Sequence, residues 1–131
     1  MQKLWSNSWK SSSQTRKQRK YQKNAPLHIK AKFLSAPLSK ELKAEYKTRS
    51  LKVRTGDTVV IKAGQFKGTS GKVTKVSVSR TFVHVKGATL KKVDGTESHY
   101  PIHPSNVQII KLELDDKLRV AKLNKIKEAN K

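Results

Sequence analysis

The sequence predicts a mainly β fold: a small, strongly bent barrel preceded by a basic N-terminal arm and short helices, and followed by a short C-terminal helix or tail. Three observations carry this. From residue 51 the apolar pattern changes to a period of two, in short segments rich in β-branched residues. The six glycines, at 56, 64, 68, 71, 87 and 95, fall in or next to the turns between those segments. Positive charge is heaviest where apolar residues are sparse, +11 over residues 1–50 against +7 over 51–110 and +3 over 111–131.

Residues 1–27 form the arm. Its stretch "KSSSQTRKQRKYQKNAP" shows neither helical nor strand periodicity. Alone in water it is expected to be disordered, because it cannot bury enough apolar surface to offset its ordering entropy. Trp5, Trp9 and Tyr21 are its large anchors, suited either to docking on the protein's own body or to stacking on unpaired bases. Residues 28–50, "HIKAKFLSAPLSKELKAEYKTRS", read as two short helical pieces broken at Pro37. Ser39 caps the second, with Glu41 favourably placed in its first turn. Leu38, Leu42 and Tyr46 recur at i, i+4 and i+8 as a docking face, which leaves Lys40, Lys43 and Lys47 for phosphate.

The barrel is expected over residues 51–111. "DTVVIKA", "GKVTKVSVS", "TFVHVKG" and "NVQIIKLEL" read as strands, and "RTGD" and "VDGT" as tight turns. Val76 and Val78, then Val83 and Val85, keep the alternation of a half-buried sheet. Residues 112–131 can start a helix capped at Asp115 or Asp116, but Leu118, Ala121, Lys122 and Lys125 make a poor apolar stripe. A surface helix or tail is expected there.

Thirty Lys and Arg against nine Asp and Glu give a net charge of +21. So small a body repels itself unless an anionic partner neutralises it. Nucleic acid, an anionic membrane and acidic proteins all qualify, and the basic footprint favours nucleic acid. A membrane partner is disfavoured, because no apolar run approaches the roughly 20 residues of a span. Trp5 and Trp9 also lie outside any amphipathic stripe. No secretory apolar stretch opens the chain. The chain has no cysteine, which excludes disulfides and thiolate zinc sites and makes a reducing, intracellular compartment the expectation. His99 and His103 stand at i, i+4, yet Pro101 between them argues against the helix that would bring them together, so neither metal nor cofactor is expected. Asp57, Asp94 and Glu97 read as turn residues rather than an acid–base pair, and no activated nucleophile is in view, so no enzyme is expected.

The stretch "GQFKGTSGKV" (64–73) combines glycine and lysine as phosphate loops do. A nucleotide loop requires glycine five residues before Gly71 and Ser or Thr after Lys72. Phe66 and Val73 occupy those places, so the nucleotide match fails at both ends. The longer segment "VRTGDTVVIKAGQFKGTSGKVTKVSV" (53–78) instead resembles the KOW motif, a strand–loop–strand unit of SH3-like barrels that contact RNA. In it Lys62, Lys67 and Lys72 present charge, while Val59, Ile61, Val73 and Val76 fill the barrel. Gly64, Gly68 and Gly71 permit positive φ or close backbone approach.

The flanks are more specific. "PLSKEL", "RS", "KG", "GKV" and "IHPS" occur in the order and spacing of one family. Over roughly residues 16–115 the chain resembles the universal twenty-fourth protein of the large ribosomal subunit, in its archaeal–eukaryotic form (the twenty-sixth in older eukaryotic naming). "MQKLWSNSWKSSS" departs from that pattern, and many eukaryotic members carry a longer basic tail. The resemblance implies a place on the solvent side of the large subunit near the peptide exit tunnel. It implies binding to the 5′ portion of large-subunit rRNA, a part in early assembly, neighbouring ribosomal proteins as partners, and no homo-oligomer. It also implies residence in cytosolic ribosomes, with nuclear or nucleolar passage during assembly if eukaryotic. A KOW-type transcription elongation factor binding polymerase and nascent RNA is the alternative, but it would need a second, polymerase-docking domain.

The candidate RNA-binding residues follow. Arg16, Lys17, Arg19, Lys20 and Lys23 of "RKQRKYQK" are expected on phosphates, extended by His28, Lys30 and Lys32. Lys62, Gln65, Lys67, Gly68 and Lys72 would hold the barrel to RNA, with Arg80 at the next strand turn and His103 in "IHPS". Such contacts fix position and carry little base identity.

Overall fold

A computed structural model describes residues 5–131, without the side chains of Trp9 and Lys10, so the expected anchoring role of Trp9 lies outside the described residues. The fold is mainly β. A four-stranded antiparallel sheet runs β5 (Phe82–Val85), β4 (Ser70–Ser77), β3 (Thr58–Ile61), β8 (Val107–Lys111). These are the four segments in which apolar and polar residues alternate. Val59, Ile61, Val83, Val85, Val107 and Ile109 point inward and are buried.

Two bulges bend this sheet. The β3–β8 register slips between Thr58 and Val59, and the β4–β5 register slips between Val73 and Lys75. Each inserts an extra residue, so inward positions fall three apart, at Val73 and Val76 and at Ile109 and Leu112. Strict alternation is therefore broken where the barrel curves.

Both sheet edges are covered. Leu38 bridges to Ile109 on the β8 side, and Val83 exchanges backbone bonds of 2.8 and 2.9 Å with Ile102 on the β5 side. A ribbon of β1 (Ser35–Pro37) and β2 (Ser50–Lys52) carries Ala36 and Leu51 into the core, and the β6 (Thr89–Lys91) and β7 (Glu97–His99) hairpin closes around the "VDGT" turn. Gly71 has no positive φ; a Cβ there would lie 2.3 Å from the Lys86 carbonyl oxygen, so close strand approach is what requires glycine.

In residues 1–50 the helices differ from expectation in two places. Residues 15–24 form α1 (Thr15–Asn24), although no apolar period marks them. Residues 28–50 contain α2 (Leu27–Phe33), then β1 ending at Pro37, then α3 (Lys40–Tyr46). Pro37 thus closes a short edge strand and does not simply break a helix. The Ser39 cap accepts from the Leu42 N–H at 3.4 Å, and the Leu38, Leu42 and Tyr46 face packs on the core as expected.

α4 (Lys117–Ala129) starts at Asp116, whose carboxylate accepts from the Leu118 N–H at 3.0 Å and pairs with Arg54. Its docked face carries Arg119 and Leu123, both buried, with Ile126 half-buried, while Leu118 is 80% exposed. Leu118, Ala121, Lys122 and Lys125 are exposed.

Arg119 explains the choice of face. Its guanidinium grips Asp57 through two bonds, Nη1 to Oδ1 at 2.7 Å and Nη2 to Oδ2 at 2.8 Å. It also donates to the carbonyls of Glu113 at 2.8 Å and Lys52 at 3.2 Å. Asp57 is fully buried and accepts further from the backbone N–H groups of Arg54 and Glu113. It is a structural anchor as well as a turn residue. One carboxylate therefore ties the turn before β3, the strand leaving β8 and the last helix.

Removing one partner of such a pair strands the other without water, at a cost of about 3–5 kcal/mol. Arg119→Ala is expected to lower unfolding free energy by about that amount in urea denaturation. The double change Asp57→Leu with Arg119→Met should cost less than the sum of its parts; strict additivity would contradict the coupling.

His84 on β5 gives a pH dependence. Burial, with the nearby charges of His99 and Lys75, lowers its pKa; a hydrogen bond with the Tyr100 backbone works the other way. Its Nδ1 is buried without a hydrogen-bond partner. A depressed folded pKa means the neutral ring is favoured in the fold. That stability is full above the free histidine value of about 6.5 and is lost as pH falls through the folded value. Melting temperature should therefore decline below about pH 6.5, and less so in His84→Gln.

Candidate nucleic-acid interface

The expected cations form three groups. The first is α1. Arg16, Arg19, Lys20 and Lys23 stand at i, i+3, i+4 and i+7 and are all exposed, so they make one cationic stripe along the helix. Lys17 lies off this stripe and is half-buried. The inner side is pinned by aromatic contacts: Tyr21 lies 5.3 Å from Trp5 and 6.2 Å, edge-on, from Phe33 of α2. For Trp5 and Tyr21, packing on the protein's own helices is thus what the structure shows.

Locally α1 is electrostatically unfavourable. Arg16 and Lys20, and Arg19 and Lys23, are like charges four apart, and its first turn holds cations where the helix dipole favours anions. A polyanion along the stripe would relieve both.

The second group surrounds a groove of about 320 Å³ between α2, the β1–β2 ribbon and α4. His28 and Lys32 line it with Lys52 and Lys122. The last two were not among the sequence candidates. Each is an isolated lysine in the chain, and only the docking of α4 brings them together. On the far side of α2, the Lys30 ammonium donates to the Ser79 carbonyl at 3.2 Å, which ties α2 to the β4–β5 turn beside exposed Arg80. Part of Lys30's donor capacity is spent within the fold.

The third group is the loop joining β3 and β4, with Lys72 at the start of β4. Lys62, Gln65, Lys67, Gly68 and Lys72 are all exposed. Gly64 and Gly68 take φ of 102° and 88°, and the loop's own N–H groups turn inward. Lys67, Gly68 and Thr69 donate to the carbonyls of Gly64, Ile61 and Phe66 at 3.3, 2.8 and 3.0 Å. These three donors are satisfied within the loop, so at Lys67 the group offered to phosphate is the side-chain ammonium.

His103 joins this group through space, lining one groove with Gln65. Its Nδ1 accepts from the Ser105 N–H at 3.2 Å, capping the 3₁₀ turn Pro104–Asn106. In the neutral ring the proton is then on Nε2, which is a donor.

Residues 12–126 match the profile of a family described as the L26 ribosomal proteins of eukaryotes and their L24 counterparts in archaea. The match reaches past the barrel and includes most of α4 with Arg119, farther than the motif resemblance extended. The chain is also similar to a protein of Methanosarcina barkeri named large ribosomal subunit protein uL24. The two are 52% identical over 114 residues, which cover 87% of this chain and 98% of the relative. On both counts, the chain belongs to this family of eukaryotic and archaeal ribosomal proteins.

Proposed function

We propose that this chain is a non-catalytic structural protein of the large ribosomal subunit, bound to rRNA mainly through the α1 stripe. The basic groove and the β3–β4 loop serve as further phosphate contacts. The carrying observation is the stripe itself: four cations on one exposed helical face, with no acidic residue anywhere in residues 1–40. A helix that repels itself is retained where an anionic ridge lies against it. Family membership supports the ribosomal setting, with neighbouring ribosomal proteins as the other partners. The 5′ portion of large-subunit rRNA, a site near the peptide exit tunnel and a part in assembly are the placement the family resemblance implies.

Mechanistically the protein neutralises phosphate and matches shape. The three groups sit on different elements of one fold, so they can tie separate RNA segments together. Ordering of α1 against RNA is offset by released counterions.

Binding to a transcript of the 5′ portion of large-subunit rRNA, measured across salt concentrations, tests this. Lys20→Glu with Lys23→Glu should cut affinity strongly and reduce the salt slope by about 2, while the barrel still melts cooperatively. Unchanged affinity would refute the α1 interface. Lys52→Ala with Lys122→Ala should weaken binding evenly across RNA sequences, again with a shallower salt slope of about 2. An unaltered slope would show that the groove faces solvent.

A further inference from the structure

The groove shared by Gln65 and His103 differs in chemistry from the other two groups. It holds about 230 Å³, and its lining combines Phe66, Phe82 and Tyr100 with Gln65, His103 and Asn106. Phe66 and Tyr100 stand 5.1 Å apart and tilted by 56°, a packed aromatic pair. Drug-sized ligands fill roughly 300–1,000 Å³, so this space suits a single planar ring.

The walls are fixed before anything binds. The Lys62 N–H donates to the Asn106 carbonyl at 2.7 Å, and the Asn106 N–H to the His103 carbonyl at 3.0 Å. Ile102 is locked to Val83, and the Tyr100 N–H donates to the Ala88 carbonyl at 2.9 Å. Among the described residues, the side-chain amides of Gln65 and Asn106 have no hydrogen-bond partner.

From this geometry we infer that the groove is a pocket for one unpaired nucleobase of the bound RNA. The base stacks on the Phe66–Tyr100 pair. Its edge is met by the amides of Gln65 and Asn106, each offering one donor and one acceptor group, and by the His103 Nε2–H. Charge favours this occupant: exposed Lys62 and Lys67 are chain neighbours of the lining residues Ile61, Ala63 and Phe66, and no acid lines the groove. The inference rests on the RNA-binding reading and adds a base-reading subsite to what are otherwise phosphate contacts.

The test uses the full chain, labelled for NMR, titrated with a short oligoadenylate and with an abasic ribose-phosphate chain of equal charge. The base pocket predicts shifts at Gln65, Tyr100 and Asn106 with the oligoadenylate and not with the abasic chain. Tyr100→Leu, which keeps an apolar filling, should weaken oligoadenylate roughly tenfold and leave the salt slope unchanged. Gln65→Ala, in an exposed loop, gives a second variant without risk to the fold, and it should weaken the oligoadenylate and not the abasic chain.

Equal shifts and affinities for the two probes overturn the pocket. So does oligoadenylate binding confined to α1, an outcome that leaves the RNA-binding reading standing. A blocked phenylalanine derivative filling the groove while oligoadenylate leaves it unperturbed would assign it to a protein side chain instead. No binding of either polyanion overturns the pocket and the RNA-binding reading together.

Discussion

The fold hangs on one buried ion pair. A barrel of short strands with a core mostly of valine, leucine and isoleucine has little to hold a highly charged last helix. Arg119 supplies the hold by entering the barrel's edge and satisfying Asp57 at both oxygens. Because Asp57 also accepts from backbone N–H groups before β3 and after β8, the pair sets the relative position of three segments distant in sequence. Bidentate geometry makes it directional as well as strong. The basic groove is a consequence: Lys122 meets Lys52 only because Arg119 and Leu123 seat α4 as they do.

Very little else of the positive charge is used inside the molecule. Among the described residues, two arginines are paired with carboxylates, Arg119 with Asp57 and Arg54 with Asp116. The chain's +21 is therefore turned outward. In α1 it is arranged as a stripe and at the β3–β4 loop as exposed lysines around a turn. The same body thus offers side-chain charge to phosphate, and a small aromatic groove beside it where charge gives way to ring faces.

What the sequence revealed and what it hid divide along physical lines. β3, β4, β5 and β8 were legible because alternation and glycine punctuation are local signals. α3 was legible from Ser39 and the Leu38, Leu42, Tyr46 spacing. β1 and β2 were not, since such short strands owe their existence to a partner distant in sequence, as Ala36 does to Leu51. α1 escaped because its period lies in its charges: Arg16, Arg19, Lys20 and Lys23 mark a helix, yet apolar residues do not. The docked face of α4 was hidden because its anchor is an arginine, a residue that usually faces solvent. Candidates such as Gln65 and His103 were legible singly but not as neighbours, and Lys52 and Lys122 were not singled out at all, because only the docking of α4 brings them together.

The central claim, that this protein is a built-in component of the large ribosomal subunit held by rRNA, is tested most directly by sedimentation. A lysate run through sucrose gradients at low and high salt, probed for this chain, separates integral from adsorbed proteins. The account predicts that the protein travels with the large subunit and stays there at roughly 0.5 M salt, where loosely held basic proteins are stripped as counterions compete. A protein that remains at the top of the gradient, or leaves the subunit at modest salt, would contradict it and bring forward a transient RNA-binding factor instead.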